Sequence, residues 1–176
     1  MQLKRGFEQS LCILALLSTQ KQDVPLSSMV IHERLGGSQT YLRKLMRKLV
    51  VGGLVASTSG NSGGFKLAHL PEDINLKQIV EVVEGPLHSY PDSGLFDRVF
   101  SEFEPIAKEG NDAILRAFAK ADELWLAQLS QVTVAQILQE TFAPLKDTKV
   151  DWNELKSKDI FQFEELLKKF KKSLKL

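Results

Sequence analysis

The sequence predicts a mainly α-helical chain with one small β-hairpin, and two observations predict it. Apolar residues recur at three- and four-residue spacing through most of the chain. That rhythm breaks after Gly52-Gly53, where two short β-prone runs, "LVAST" and "FKLA", flank the glycine-rich "SGNSGG". With 176 residues, 43% of them hydrophobic and 26% charged, the chain is long enough for one ordinary core, or for one small domain plus an extension.

The first helix is expected from about Lys4 to Thr19, with Phe7, Leu11, Leu14 and Ala15 on one face. Cys12, the only cysteine, lies inside this apolar pattern and reads as a buried structural thiol. Alone, it can close neither an internal disulfide nor a thiolate metal cluster. Pro25 then interrupts, and Ser27 or Ser28 can cap a second helix that runs to Leu35, where Gly36 and Gly37 stop it. Ser38 is an N-cap for a third helix, in which Leu42, Leu45, Met46 and Leu49 share one face and Thr40, Arg43, Lys44 and Arg47 share another. Two helices joined by so short a glycine-containing turn are the helix-turn-helix pattern, and the hairpin that follows reads as its wing. The "GNSGG" loop fits neither phosphate-binding glycine motif, which argues against a nucleotide site.

Asn75 and Gln78 form a capping-box pair for a helix bearing Leu76, Ile79, Val80 and Val83 on one face, ended by Gly85 and Pro86. Residues 86–94 read as loop and Leu95 to Phe103 as helix, with Pro105 as its break. From Asn111 or Asp112 a longer helix runs to about Ser130. Its residues Ile114, Phe118, Ala121, Trp125 and Leu129, widened by Leu115, Leu124 and Leu126, span a broader apolar arc than one small core can cover. A second surface must cover the rest. Thr133 and Gln136 open one more short helix through "VAQILQETF". Residues 145–153 read as linker. The tail from Asn153 onward sets Ile160, Phe163, Leu166, Leu167, Phe170 and Leu174 on one face among Lys168, Lys169, Lys171 and Lys172. This divides the chain into a winged helix-turn-helix domain (1–85), a loop and short helix (86–110), a dimerisation helix with a short helix after it (111–143) and a basic amphipathic extension (144–176).

The net charge of +1 conceals a segregation. Residues 1–70 hold 9 Lys and Arg against 3 Asp and Glu, residues 71–145 hold 5 against 13, and the remainder holds 9 against 6. A basic first segment beside an acidic middle attracts polyanions at one end and repels them at the other, which points to nucleic acid as the partner of the first segment. No apolar run approaches the roughly 20 residues that span a bilayer, and no small-residue cleavage site follows Lys4 and Arg5, so the chain is expected to be cytoplasmic, with no membrane partner.

The stretches "MQLKRGFEQSLCILALL", "RLGGSQTYLRKLMRKLVVGGLV", "SGGFKLAHLPEDINLKQIVEVVEGP" and "VTVAQIL" resemble the winged-helix transcription regulators of the Rrf-two family over about residues 1 to 140. That family includes the iron–sulphur cluster regulator and the nitric-oxide-sensitive repressor. The resemblance implies a homodimer joined by the long helix and bound to palindromic operator DNA. It says nothing of the tail. Cluster-carrying members place three cysteines between the helix ending at Gly85 and the dimerisation helix. Here "PLHSYPDSGLFDRVFSEFEPIAKEG" has none, so no iron–sulphur cofactor is expected. Ser59 stands where many members carry a wing arginine, leaving Lys66 as the wing's cation, and His32 replaces a small residue of the second helix.

In a helix-turn-helix the second helix enters the major groove with its N-terminal residues at base edges. Gln39, Thr40 and Arg43 are therefore the expected base readers, and Lys44, Arg47 and Lys48 the expected phosphate neutralisers. Ser38, Ser57, Ser59, Asn61 and the backbone around Gly60 are placed to bond the sugar–phosphate chain. His32, His69 and His88 lack a partner at metal-ligand spacing, His88 with Asp92 coming nearest, and Glu81 and Glu84 read as solvated. No nucleophile elbow, paired catalytic carboxylates or cofactor fingerprint is present, so the chain does not read as an enzyme. The function expected is a sequence-specific DNA-binding transcription regulator, a homodimeric repressor with room for a small-molecule effector beside loop 86–96. The alternative is a winged-helix module that docks on another protein.

Overall fold

A computed structural model of the chain describes residues 3–60, 63–142 and 149–155. Seven helices and a two-stranded antiparallel hairpin follow in the order α1 (Arg5–Thr19), α2 (Ser28–Leu35), α3 (Gln39–Val51), β1 (Val55–Thr58), β2 (Gly64–Leu67), α4 (Leu76–Glu84), α5 (Leu95–Val99), α6 (Glu104–Ser130) and α7 (Val134–Phe142). The mainly α class with its small hairpin is as the sequence predicts. The expected tail helix lies outside the described residues.

The caps explain the boundaries. Ser27 Oγ accepts the Val30 N–H at 3.2 Å and starts α2, while Ser38 Oγ accepts the Tyr41 N–H at 3.4 Å and starts α3. Between them Gly36 and Gly37 take φ of +65° and +82°, a left-handed turn that glycine enters without steric cost. His32 closes the turn, its Nε2 donating to Gly37 O at 3.1 Å. Asn75 and Gln78 form the full capping box of α4, and Thr133 and Gln136 exchange the same pair of bonds at the start of α7.

Three helices differ from expectation, the simplest being α5, which stops at Val99 instead of running on to Phe103. In α1 the buried face is Gly6, Ser10, Ile13, Leu14 and Leu17, turned from the predicted one, with Phe7 and Leu11 only partly covered. Small residues decide this. A Cβ on Gly6 would lie 2.6 Å from the Tyr41 hydroxyl and 3.3 Å from Val83, so α1 meets α3 and α4 where its side chains are smallest. Ser10 is buried without penalty because its hydroxyl donates to Gly6 O at 2.8 Å. The turn of the helix also carries Cys12 to the exposed side, so it is not the buried thiol expected. The long helix α6 begins at Glu104 rather than at 111, and its 27 residues reach about 40 Å. Pro105 does not break a helix but sits in the first turn of this one, where a missing N–H leaves no bond unmade. Between α5 and α6, Ser101–Phe103 form a short 3₁₀ turn.

The core gathers Ile13, Leu14, Leu26, Ile31, Leu49, Val55, Ile74 and Ile79 from α1, α2, α3, β1, α4 and the connections before α2 and α4, with Val134 of α7 beside them and Phe65 and Leu67 of β2 packed against it. Leu26 ties the parts together. Its N–H and C=O exchange 2.9 Å bonds with Phe65 of β2, so a single antiparallel bridge fastens the α1–α2 connection to the hairpin. The segment expected as linker is likewise docked where it is described. Residues 149–155 lie along the end of α1, with Val150 paired in parallel to Gln20.

Gly64 is where this pairing is tightest, since an added Cβ would stand 2.5 Å from Leu26 O. Gly64→Ala is expected to destabilise the chain by about 1–3 kcal/mol, the usual range for forcing an extra methyl into a packed site. The check is the urea midpoint, which should fall with an unchanged slope. A midpoint equal to the parent's would show that the hairpin and the α1–α2 connection separate freely.

Candidate nucleic-acid interface

Helix α3 presents its buried side, Leu42, Leu45, Met46 and Leu49, to the core and leaves Gln39, Thr40, Arg43, Lys44 and Arg47 exposed. Gln39, Arg43 and Arg47 recur every four residues and so form one stripe. That stripe is one wall of an open groove of about 380 Å³ whose other walls are Ser28 at the start of α2 and Ser57 and Phe65 of the hairpin. The helix-turn-helix and the wing thus share one concave surface, lined by two guanidinium groups and, within the groove, no carboxylate.

Two of the expected cations lie elsewhere. Lys48 is nine residues from Gln39, about half a turn round the helix, and its ammonium donates to Val83 O near the end of α4. It serves as a cation on the carbonyl end of a helix, where the dipole favours it. Lys66 sits opposite Ala56, whereas Ser57 pairs with Phe65, so strand alternation turns Lys66 to the far face of the hairpin. There its ammonium donates to Asp23 O at 2.8 Å. Ser38 has its hydroxyl engaged as the α3 cap, Ser59 and Gly60 are exposed at the hairpin tip, and Asn61 lies outside the described residues. Ser28 and Phe65 are groove residues the sequence reading did not single out. Only the pairing of Leu26 with β2, invisible in a local pattern, brings them to α3.

The long helix carries an apolar face that the other described residues leave uncovered. Phe118 is 44% and Leu124 61% exposed, and Ala121 is open, while Ile114, Trp125 and Leu129 are half-buried. Tyr90 of the loop stacks on Phe118 with ring centroids 5.1 Å apart.

Sequence and structure comparisons bear on the family and the fold. A family model described as Rrf2, iron-dependent transcriptional regulator, matches residues 3–140. The chain belongs to the Rrf2 family. YffB of Lactococcus lactis, named for an HTH-type transcriptional regulator, is 32% identical over 141 residues, which cover 80% of this chain and 89% of YffB. YwgB of Bacillus subtilis, similarly named, is 42% identical over 100 residues, which cover 57% of this chain and 64% of YwgB, so the chain spans under two thirds of that relative. Among solved structures, a Lactobacillus plantarum protein covers 82% of this chain and 94% of its own with a TM-score of 0.62 and 22% identity. CymR, the global cysteine regulator of Bacillus subtilis, gives a TM-score of 0.54 at 20% identity, covering 80% and 98%. These two likenesses establish the fold. Family membership makes the chain a transcriptional regulator and not an enzyme.

The family description implies iron, and the residues of this member do not fit a thiolate-bound cluster. Cys12 is its one cysteine and lies exposed on α1. In the segment after α4 no other thiol exists, and among the described residues no three His, Cys, Asp or Glu side chains converge on a metal position. The pairing of His88 with Asp92 also dissolves, because Asp92 accepts from Gly94 N–H at 2.9 Å and from the Asn111 amide at 2.8 Å. Those two donors, the backbone N–H first, hold the Asp92 carboxyl below its usual range. Glu84 is not simply solvated either, since it accepts the Lys4 N–H at 3.1 Å and pairs with the Lys4 ammonium at 3.5 Å, tying α4 to the start of α1. Glu81 pairs with Lys77 one turn away on the surface.

Loop 86–94 is fastened to α6 by Asp122, which accepts the Ser89 N–H at 3.0 Å. The Ser89 hydroxyl and N–H, with a smaller pull from His88, hold the Asp122 carboxyl below its usual range. A lowered folded value means that the tie is complete above the ordinary aspartate value of about 3.9 and is lost as pH falls through the lowered one. Asp122→Asn should therefore flatten the acid limb of a stability–pH profile while leaving the neutral plateau's shape unchanged. An acid limb as steep as the parent's would show that Ser89 does not hold the carboxylate.

Proposed function

We propose that this Rrf2-family chain is a sequence-specific regulator that binds a palindromic operator as a homodimer and represses by occupying promoter DNA, without an iron–sulphur cluster. The observation that carries the reading is the groove in which Gln39, Arg43 and Arg47 stand in line, closed by Ser28 and Ser57. Its charge belongs to the basic first segment of the chain, as a surface that meets a polyanion requires. Such a protein works where the DNA is, in the cytoplasm, and among the described residues no helix is long and apolar enough to cross a membrane.

Within this reading Gln39, Thr40 and Arg43, in the first turns of α3, face base edges, with Arg43 matched to guanine and Gln39 to adenine. Lys44 and Arg47, farther along, neutralise phosphates, and Ser38, Ser57, Ser59, Asn61 and Gly60 bond the sugar–phosphate chain. Lys48 and Lys66, engaged with Val83 and Asp23, keep the domain's parts in place instead. An effector site fits the cavity of about 500 Å³ beside α5, where Asp97, Ser101, Glu104 and Lys108 surround the buried Asn111. Asn111 Oδ1 has no hydrogen-bond partner there.

Arg43→Ala should cost about 1–3 kcal/mol on the operator and relax preference at one base pair, as loss of a bidentate guanine contact does. Arg47→Ala should weaken all sequences alike and lower the slope of log affinity against log salt by about one. Gel shifts on the protein's own promoter, with salt titration, measure both. Equal effects of the two variants on operator and random DNA, or an affinity indifferent to salt, would favour docking on a protein partner.

The dimer is tested at Ala121, which is exposed midway along the uncovered face of α6. Ala121→Glu should give a monomer in sedimentation and a much weaker operator complex, because each half-site then binds alone. An unchanged sedimentation coefficient would place the dimer contact elsewhere.

A further inference from the structure

The family match ends at residue 140, yet residues 149–155 are built into the helix-turn-helix. Helix α1 ends without a left-handed cap, at Gln20 in extended conformation, and has no basic residue in its last turn. Its final carbonyls therefore need donors from elsewhere. Residues 149–155 supply them. Lys149 Nζ donates to Ser18 O at 2.8 Å and the Val150 N–H to Thr19 O at 2.9 Å, while the Lys21 N–H returns a 2.9 Å bond to Val150 O. Gln20, buried despite its amide, is satisfied on both sides, accepting the Trp152 N–H at 2.9 Å and donating to Asp151 at 3.2 Å.

The same segment then reaches α2. Trp152 donates its indole N–H to Thr19 Oγ1 at 3.0 Å and carries the Arg34 guanidinium 4.3 Å above its ring. Asn153 bridges the entry of α2, donating to Pro25 O at 3.0 Å and accepting the N–H of Ser27 at 3.0 Å. Ser27 is the cap of α2, and its neighbour Ser28 is a wall of the groove formed with Gln39 and Arg43. One short segment thus grips the end of α1 and both ends of α2.

We infer that residues 149–155 form a strap that sets the position of α2 against α1, so that operator affinity depends on a segment behind the DNA-facing groove. This makes the strap a control point, because whatever lifts Trp152 from Arg34 releases Ser27 and with it the wall at Ser28. Recognition is then coupled to the part of the chain that follows α7.

The inference rests on the DNA-binding reading, and its test separates the two. Full-length Trp152→Ala and Trp152→Phe are compared with the parent by amide hydrogen exchange and by operator binding. In Trp152→Ala, exchange at the Lys21 and Ser27 N–H groups should rise about ten-fold or more while Ile79 in α4 stays protected, the mark of local release in a folded chain. Operator affinity should fall about ten-fold in the same variant, and Trp152→Phe, which keeps a ring under Arg34, should recover most of it. Faster exchange with unchanged affinity would reduce the strap to packing, and a raised affinity would make it an opponent of DNA; either overturns the inference. So does unchanged exchange at Lys21 and Ser27. A parent chain that binds no operator overturns the DNA reading and its coupling to the strap, while the exchange data still report whether the strap holds α2.

Discussion

The pair of backbone bonds between Leu26 and Phe65 is the constraint on which the rest depends. A helix-turn-helix and a wing can read one duplex only if they share a frame, and two short strands alone are marginal in water. By bridging the α1–α2 connection to β2 at Leu26, the chain fastens the hairpin to the helix-turn-helix and sets Ser57 and Phe65 in one groove with Arg43 and Arg47. Gly64 permits the approach, and Leu26, fully buried, anchors it in the core. Residues 149–155 hold the other side of the same connection, so the stretch from Thr19 to Ser27 is gripped from both directions.

Helix α3 shows how one amphipathic sequence divides its cations between two tasks. Arg43 and Arg47 stand in line with Gln39 on the open side, whereas Lys48 has rotated far enough to meet the carbonyl end of α4. Charge by itself does not make a binding residue; the direction of the side chain does. The same distinction applies in the hairpin, where a register that pairs Ser57 with Phe65 sends Lys66 to the opposite face and onto Asp23 O. What remains on the groove side is a small set of guanidinium groups on a rigid helix, and rigidity is what a bidentate contact to a base edge requires.

Most of the fold was legible because its signals are local. Ser27, Ser38, Asn75 with Gln78 and Thr133 with Gln136 announce helix starts within four residues of themselves, and Gly36, Gly37 and Gly85 announce ends through their positive φ. The turned face of α1 was not legible, because hydrophobicity points to Phe7 and Leu11 while close approach selects Gly6 and Ser10. Pro105 carries two opposite local meanings, and only the packing of Phe96 on Gly110 shows that α6 already runs there. The strap was hidden for a different reason. Its sequence has no apolar rhythm, and residues 149 to 153 act on partners more than a hundred positions away. Of the candidate site, the stripe on α3 could be read from spacing, whereas Ser28, Phe65 and the diversion of Lys48 and Lys66 depend on pairings between elements.

The proposed function stands on DNA lying in the groove between α3, the start of α2 and the hairpin. Its most direct test is a titration of the isotopically labelled chain with its own promoter fragment, followed by two-dimensional amide and side-chain NMR. The largest shifts are expected at Ser28, Gln39, Thr40, Arg43, Arg47 and Ser57, with Lys48 and Lys66 nearly unmoved. Shifts concentrated at Lys48 and Lys66, with Arg43 and Gln39 unaffected, would contradict it.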